Sequence, residues 1–291
     1  MPSIRPRRSA LYVPGSSPRA LAKAPSLGAD VVILDLEDAV APAEKDAARA
    51  RAVETVAAFR QAGSPVEIVV RANGLGTPWI EADLAAIAAA RPDALLLPKI
   101  SRAEDLARVR ALLAPDAALP LWAMIETPLA VLDPLSIATA RDERLPLEML
   151  VLGLNDLARE TGTRQVPGRA PMLPWLMTAL AAARAAGIGI LDGVFNDIAD
   201  EAGFAAECRQ GRDCGFDGKT VIHPRQVDGA NAAFAPSAEE IARATRIAGV
   251  FDLAENAGKG VVMVDGRMVE RLHADMAQRL LRLAEAIAAR G

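Results

Sequence analysis

Aromatic residues are scarce in this 291-residue chain: three Trp, one Tyr and six Phe, 3% in all. So small a supply argues against a nucleic-acid surface built on stacking rings. The net charge of −4 removes the basic footprint that DNA or an anionic membrane would require. Cysteine is nearly absent. Cys208 and Cys214 fit no zinc spacing and have no His cluster near them, so both are expected to be small buried apolar side chains. No Asn-x-Ser/Thr acceptor occurs, and the expected setting is a reduced cytoplasm. Long apolar runs are missing too. The longest uncharged ones, such as Ala170–Ala183, are interrupted by proline and too short to span a bilayer.

What is present is aliphatic. Hydrophobic residues make up 52% of the chain and charged ones 24%, enough to bury a large core, with Ala, Leu and Val carrying most of it. Arg5, Arg7 and Arg8 make a small basic N-terminus, expected to be a solvated end. The apolar stretch after Arg8 is broken by Pro14 and Gly15, too early for the core of an export signal.

Short aliphatic runs recur between Ala-rich helical stretches. The strands expected are Ser9–Val13, Asp30–Leu36, Val66–Arg71, Ala94–Pro98, Leu121–Ile125, Met149–Gly153, Gly187–Leu191 and Gly218–Ile222. Helices are expected between them, for example over Ala43–Ala62 and Ala103–Leu113. The runs lack polar alternation, which indicates strands covered on both faces, as in parallel sheets. Eight such units predict an α/β fold of one closed (β/α)8 TIM barrel spanning residues 1–235. Polar residues gather where the strands end: Asp35, Glu37 and Asp38; Arg71 and Asn73; Lys99; Glu126; Asn155 and Asp156; Asp192 and Asn196; His223. That end of a barrel builds the active site. Residues 236–291 are expected to form a C-terminal helical extension, or lid. Within it lie a helix over Ser237–Glu255 opened by a Ser237/Glu240 capping box, a strand at Val261–Val264, a turn at Asp265-Gly266 and a helix over Val269–Ala289.

Several constellations at the strand ends carry chemistry. Glu126 and Asp156 follow adjacent strands, and a carboxylate pair with room for water suits Mg2+. Helix capping by the same acids is the plainer alternative. Asp35, Glu37 and Asp38 repel one another unless a cation stands among them. Arg71 suits a bidentate grip on a substrate carboxylate or an ion pair with those acids, and both roles are compatible. Lys99 suits a Schiff base less well than an electrostatic partnership with the acids. The segment Pro14-Gly15-Ser16-Ser17-Pro18-Arg19, with Lys23, offers amides and two cations to phosphates. Gly218-Lys219-Thr220 is not a P-loop, because Asp213 stands where its first glycine belongs. His223 and His273 are lone histidines, read as packing or hydrogen-bonding residues.

Taken in order, Leu11-Tyr12-Val13-Pro14-Gly15, Leu34-Asp35-Leu36-Glu37-Asp38-Ala39-Val40, Val70-Arg71-Ala72-Asn73, Leu97-Pro98-Lys99, Ile125-Glu126-Thr127-Pro128, Gly153-Leu154-Asn155-Asp156-Leu157 and Lys219-Thr220-Val221-Ile222-His223-Pro224 make a recognisable series. It resembles the citrate lyase beta subunits and the malyl-CoA and citramalyl-CoA lyases of the HpcH/HpaI aldolase superfamily.

The resemblance implies a magnesium-dependent carbon–carbon lyase, with Mn2+ as an alternative ion, that splits a short 3-hydroxyacyl-CoA thioester into a 2-oxo acid and an acyl-CoA. Glu126 and Asp156 would hold the metal, Arg71 would bind the 2-oxo acid oxygens, and Glu37 and Asp38 would organise the metal's waters. The nucleotide end of the thioester would lie near the first loop, with Pro14, Arg19 and Lys23. In the lyases an aspartate of the C-terminal segment handles the enolate proton. Here Glu270, in Asp265-Gly266-Arg267-Met268-Val269-Glu270, stands at that position. The resemblance also implies a homotrimer or hexamer. Alternatives within it are a citrate lyase beta subunit working on an acyl-carrier partner, a malyl-CoA-type thioesterase and a non-catalytic assembly paralogue.

Overall fold

The computed structural model describes residues 5–114, 117–140, 142–143 and 146–290. Eight parallel strands close into a barrel: β1 (Ser9–Pro14), β2 (Val31–Asp35), β3 (Glu67–Arg71), β4 (Ala94–Leu97), β5 (Leu121–Ile125), β6 (Leu147–Leu152), β7 (Gly189–Asp192) and β8 (Gly218–Val221). Each pairs with the next, and β8 closes on β1 through Ser9–Lys219 and Leu11–Val221. The predicted (β/α)8 barrel is therefore the observed fold. The chain divides into two compact units, one of them Arg7–Phe234, which holds the barrel.

Alternation along the strands sorts their side chains into two layers. Ala10, Val31, Ile33, Val69, Leu96, Trp122, Met124, Met149, Val151 and Leu191 fill the barrel interior. Leu11, Val32, Leu34, Val70, Leu97, Ala123, Leu150 and Ile190 belong to a second, larger cluster with apolar residues of the surrounding helices, among them Leu84 and Leu176. The same alternation carries Asp35, Arg71 and Glu126 into line with the interior set. Asp192 falls with the outer layer. It pairs with Arg169 at 2.6 Å and Lys219 at 3.1 Å rather than with groups of the mouth.

The strands begin and end within one residue of expectation, except that β6 starts two residues earlier and β7 two residues later. Gly187, read as the start of a strand, has φ 72° and terminates the helix Leu173–Ala186 in the left-handed conformation that glycine adopts without steric cost. Two of the arginines read as a solvated end, Arg7 and Arg8, are in fact engaged below the barrel. Arg7 donates to both oxygens of Glu67 at 2.7 Å and stacks over Trp122, and Arg8 grips Asp30 at 2.8 and 2.9 Å.

The other unit comprises residues 235–290 together with Arg5 and Pro6. Its first helix, Ala238–Ala248, opens on the expected capping box: Ser237 Oγ accepts from the Glu240 amide at 3.2 Å, and the Glu240 carboxylate accepts from the Ser237 amide at 2.7 Å. The helix stops at Gly249, short of Glu255. An antiparallel hairpin follows, β9 (Val261–Val264) and β10 (Arg267–Glu270), turning through Asp265 and Gly266, both at positive φ. The last helix is Arg271–Ala288, so Val269 and Glu270, expected as its first turn, are strand residues instead. Val262, Val269, Ala244, Ile247, Ala274 and Ala277 form this unit's own apolar cluster. No described helix is long and apolar enough to cross a membrane.

Candidate active site

A cavity of about 310 Å³ opens at the C-terminal ends of the strands. Its wall includes Tyr12, Asp35, Asp38, Arg71, Glu126, Asn155 and Asp156, with Met124, Leu152, Val194 and Ile222 as the apolar part. Residues predicted from four different strand ends thus meet in one place.

Arg71, at the end of β3, is buried and makes a two-pronged ion pair with Asp35 at the end of β2: Nε donates to Oδ1 and Nη2 to Oδ2, each at 2.7 Å. Its Nη1 lies 2.9 Å from Glu37 Oε2, and the guanidinium stacks over Tyr12 at 4.9 Å. Asp35 also accepts from the amides of Glu37 at 2.8 Å and Ala39 at 3.2 Å. Although burial works the other way, Arg71 and these donors hold the Asp35 carboxyl below its ordinary range, and the acids hold the guanidinium proton more firmly than usual. The ion-pair reading of Arg71 is therefore the geometry observed. The guanidinium still lines the cavity.

Glu37 is held by the Lys99 ammonium, which donates to Oε1, while Asp38 lies 3.7 Å from Lys99 and 3.8 Å from Arg71. Burial pushes the Glu37 carboxyl up despite these cations. With its charge engaged by Glu37, Lys99 acts as an electrostatic partner. Its backbone sits at φ 54°, a strained value for a non-glycine residue, and its amide donates to Glu126 Oε1 at 2.7 Å.

Glu126 is 1% exposed. Burial, then the neighbouring carboxylates of Glu37 and Asp156, push its carboxyl up to about 8 against the pull of Arg71. The residue lies against Gly153, where a Cβ would fall 2.2 Å from Glu126 Oε2, so only glycine leaves that carboxylate its place. Asp156 stands in the first turn of the helix Leu154–Thr161, where the helix dipole favours an anion. Its Oδ1 is buried and receives no hydrogen bond; Arg159 faces it at 2.5 Å as an ion pair outside hydrogen-bond alignment.

These observations fit a hard divalent cation. Two carboxylates face one cavity, one raised by burial and like charge and the other with an oxygen lacking a donor. Magnesium needs only one or two carboxylates because it keeps most of its waters. Among the described residues no cage of three or more His, Cys, Asp or Glu exists, so water and substrate would have to complete the shell.

Three other predicted residues of the barrel unit are not brought to the cavity. Arg19 and Lys23 lie exposed on the short helix Pro18–Lys23, and Pro14, half-buried at the end of β1, is not part of the cavity wall. Glu270 belongs to the C-terminal unit. There it occupies the N-cap position of the helix Arg271–Ala288, and its amide donates to His273 Nδ1 at 2.9 Å. His223 similarly caps a turn, its Nδ1 accepting from the Arg225 amide at 3.2 Å.

Sequence reading missed two supports. Lys45 is buried and donates to the carbonyls of Leu36 and Glu37, each at 2.7 Å, tying down the acidic loop. Asp83 accepts from the Asn73 amide at 2.9 Å and from Arg49 at 2.7 Å, fixing the loop after β3. Both open helices, where a charged residue carries no distinguishing pattern. Only the shared burial of partners far apart in sequence reveals them.

A parallel barrel with convergent acids, an arginine and a lysine at its C-terminal mouth is the active-site architecture of a barrel enzyme. Residues 8–224 match the family model described as HpcH/HpaI aldolase/citrate lyase, and the chain belongs to that family. A (3S)-malyl-CoA thioesterase of Cereibacter sphaeroides is 51% identical over 284 residues, spanning 98% of this chain and 96% of its own. The citrate lyase subunit beta of Leuconostoc mesenteroides subsp. cremoris is 35% identical over 98% of this chain and 96% of its own. Among solved structures, CitE from Mycobacterium tuberculosis, in complex with magnesium, acetoacetate and coenzyme A, superposes with a TM-score of 0.76 at 32% identity, covering 95% of this chain and 97% of that one.

Proposed function

We propose that the protein is a magnesium-dependent enzyme acting on the CoA thioester of a short 3-hydroxy dicarboxylic acid of the malyl type, and that it hydrolyses the thioester. The observation that carries the metal and the site is the facing pair Glu126 and Asp156 in one cavity with Arg71. Hydrolysis is favoured over other bond cleavages because the malyl-CoA thioesterase is similar at 51% identity along nearly the whole chain, against 35% for the citrate lyase subunit.

Glu126 and Asp156 would hold the ion, which when bound supplies Lewis-acid polarisation of substrate oxygens. Lys99 fixes Glu126 Oε1 through its amide, so the carboxylate is oriented before the ion arrives. Arg71, anchored by Asp35, presents its remaining N–H groups to the anionic oxygens of the acyl group. Met124, Leu152, Val194 and Ile222 shield the acyl chain from bulk water. Asp38, half out in solvent beside Lys99 and Arg71, is placed to take a proton from the attacking water. Water oxygen bonds to the thioester carbon, the C–S bond breaks, and the sulfur leaves as the CoA thiol once protonated.

A second reading is carbon–carbon cleavage of the same substrate, the reaction of the lyase class. The hydroxyl proton passes to a carboxylate, the C–C bond breaks to give a 2-oxo acid, and the acyl-CoA enolate takes up a proton, the role that the resemblance gives to Glu270 of a neighbouring subunit. The metal pair favours it, since a polarised hydroxyl is what that reaction requires. The ion in either case is Mg2+ or Mn2+. The same resemblance supports a cytoplasmic homotrimer or hexamer, and a carrier-bound citryl substrate is the variant in which an acyl-carrier partner would be needed. The test offers malyl-CoA, citramalyl-CoA and citryl-CoA with Mg2+ and follows free thiol and 2-oxo acid separately. Thiol without 2-oxo acid supports hydrolysis; 2-oxo acid without thiol overturns it in favour of the lyase.

A further inference from the structure

Most acids at the barrel mouth have their charge answered from inside the fold. Both oxygens of Asp35 receive Arg71, and Glu37 is shared between Lys99 and Arg71. Glu126 Oε1 takes the Lys99 amide at 2.7 Å. Asp156 differs, because the cation paired with it, Arg159, lies one helical turn further on and its side chain is 66% exposed. The guanidinium reaches back from solvent onto Oδ1 at 2.5 Å and also lies 3.5 Å from Glu160. Oδ1 is buried and has no aligned hydrogen bond, so the contact is one of charge and position alone.

We propose that Arg159 is a tethered competitor for the divalent cation: it occupies the Asp156 oxygen that the ion needs and must swing out for the ion to bind. This rests on the metal reading of Glu126 and Asp156 given above. A monovalent cation tethered through the same helix waits at the carboxylate whenever the ion is absent. If it stays nearby after the ion binds, the two positive charges repel. Either way its charge weakens metal affinity, and its solvent-facing position lets it leave without disturbing the core. The site is thereby set to respond to the free concentration of the ion rather than to hold it permanently.

Removing one charge at this distance, partly screened by solvent, should tighten Mg2+ binding by about tenfold. The test measures Mg2+ binding to the full chain, freed of metal by chelation, by calorimetry. Wild type, Arg159→Gln, Arg159→Lys, Glu126→Gln and Asp156→Asn are compared at low and high ionic strength. Arg159→Gln should bind Mg2+ about tenfold more tightly at low salt, with the gain shrinking at high salt. Arg159→Lys keeps the charge and should stay near wild type. Because the side chain is largely exposed, thermal unfolding of Arg159→Gln should match wild type. Equal or weaker binding by Arg159→Gln, while Glu126→Gln and Asp156→Asn abolish binding, overturns the competitor role and leaves the metal site standing. Wild-type binding that survives Glu126→Gln and Asp156→Asn overturns the metal site itself.

Discussion

Burying Glu126 among other carboxylates has a measurable cost for the metal-free protein. Its carboxyl is pushed from 4.5 up to about 8, so between those pH values the folded chain keeps a proton there that the unfolded chain has released. Wherever the native state binds more protons than the unfolded one, stability falls as pH rises. The loss accumulates from about pH 4.5 to about pH 8 and is complete above that. A shift of this size corresponds to about 4–5 kcal/mol. Glu126→Gln has nearly the same shape and no charge to bury. Chemical denaturation of metal-free protein at pH 5 should therefore find the variant and wild type nearly equal. At pH 9 the variant should be more stable by several kcal/mol, with thermal unfolding raised on the order of 10 °C. In saturating Mg2+ the order should reverse, since only wild type gains from binding. A stability difference independent of pH, or a variant weaker than wild type at pH 9 without metal, would refute the reasoning.

Arg71→Met should lower stability by about 3–5 kcal/mol by leaving Asp35 buried without its partner, and should abolish turnover. A near-normal denaturation midpoint would show that the Asp35 pair is not what the structure depicts. Lys45→Met removes the ammonium from the Leu36 and Glu37 carbonyls and should cost about 1–3 kcal/mol. Hydrogen exchange should then quicken at the Glu37 and Ala39 amides, and unchanged protection would contradict the role given to Lys45. Gly153→Ala puts a Cβ where Glu126 lies and should weaken Mg2+ binding at least tenfold, read by calorimetry on variant protein whose circular dichroism remains native.

The barrel was legible because burial on both faces leaves an unambiguous trace: Val31–Asp35 and Leu121–Ile125 are runs with no polar break, bounded by loop residues. The ends of those runs pointed to the mouth acids for the same reason. Pairing over distance was not legible. Nothing in Arg7 or Arg8 distinguishes a frayed end from a clamp on Glu67 and Asp30, and nothing in Asp192 tells which side of β7 it faces. Glu270 was harder still. Val269 and Glu270 suit the apolar period of the helix that follows, and only the hairpin ladder from Val264–Arg267 to Val261–Glu270 makes them strand. Arg159 escaped notice because an exposed arginine three residues after an aspartate is an ordinary helix pair. Its meaning comes from the buried oxygen it faces.

The most direct measurement is thiol release from malyl-CoA by wild type and Asp156→Asn, each assayed after chelation and again after Mg2+ is restored. Wild type should lose turnover to the chelator and regain it with Mg2+, while Asp156→Asn should stay inactive under both conditions although folded. Turnover that persists through chelation, or an Asp156→Asn variant that responds to Mg2+ as wild type does, would contradict a metal-dependent site built on Glu126 and Asp156.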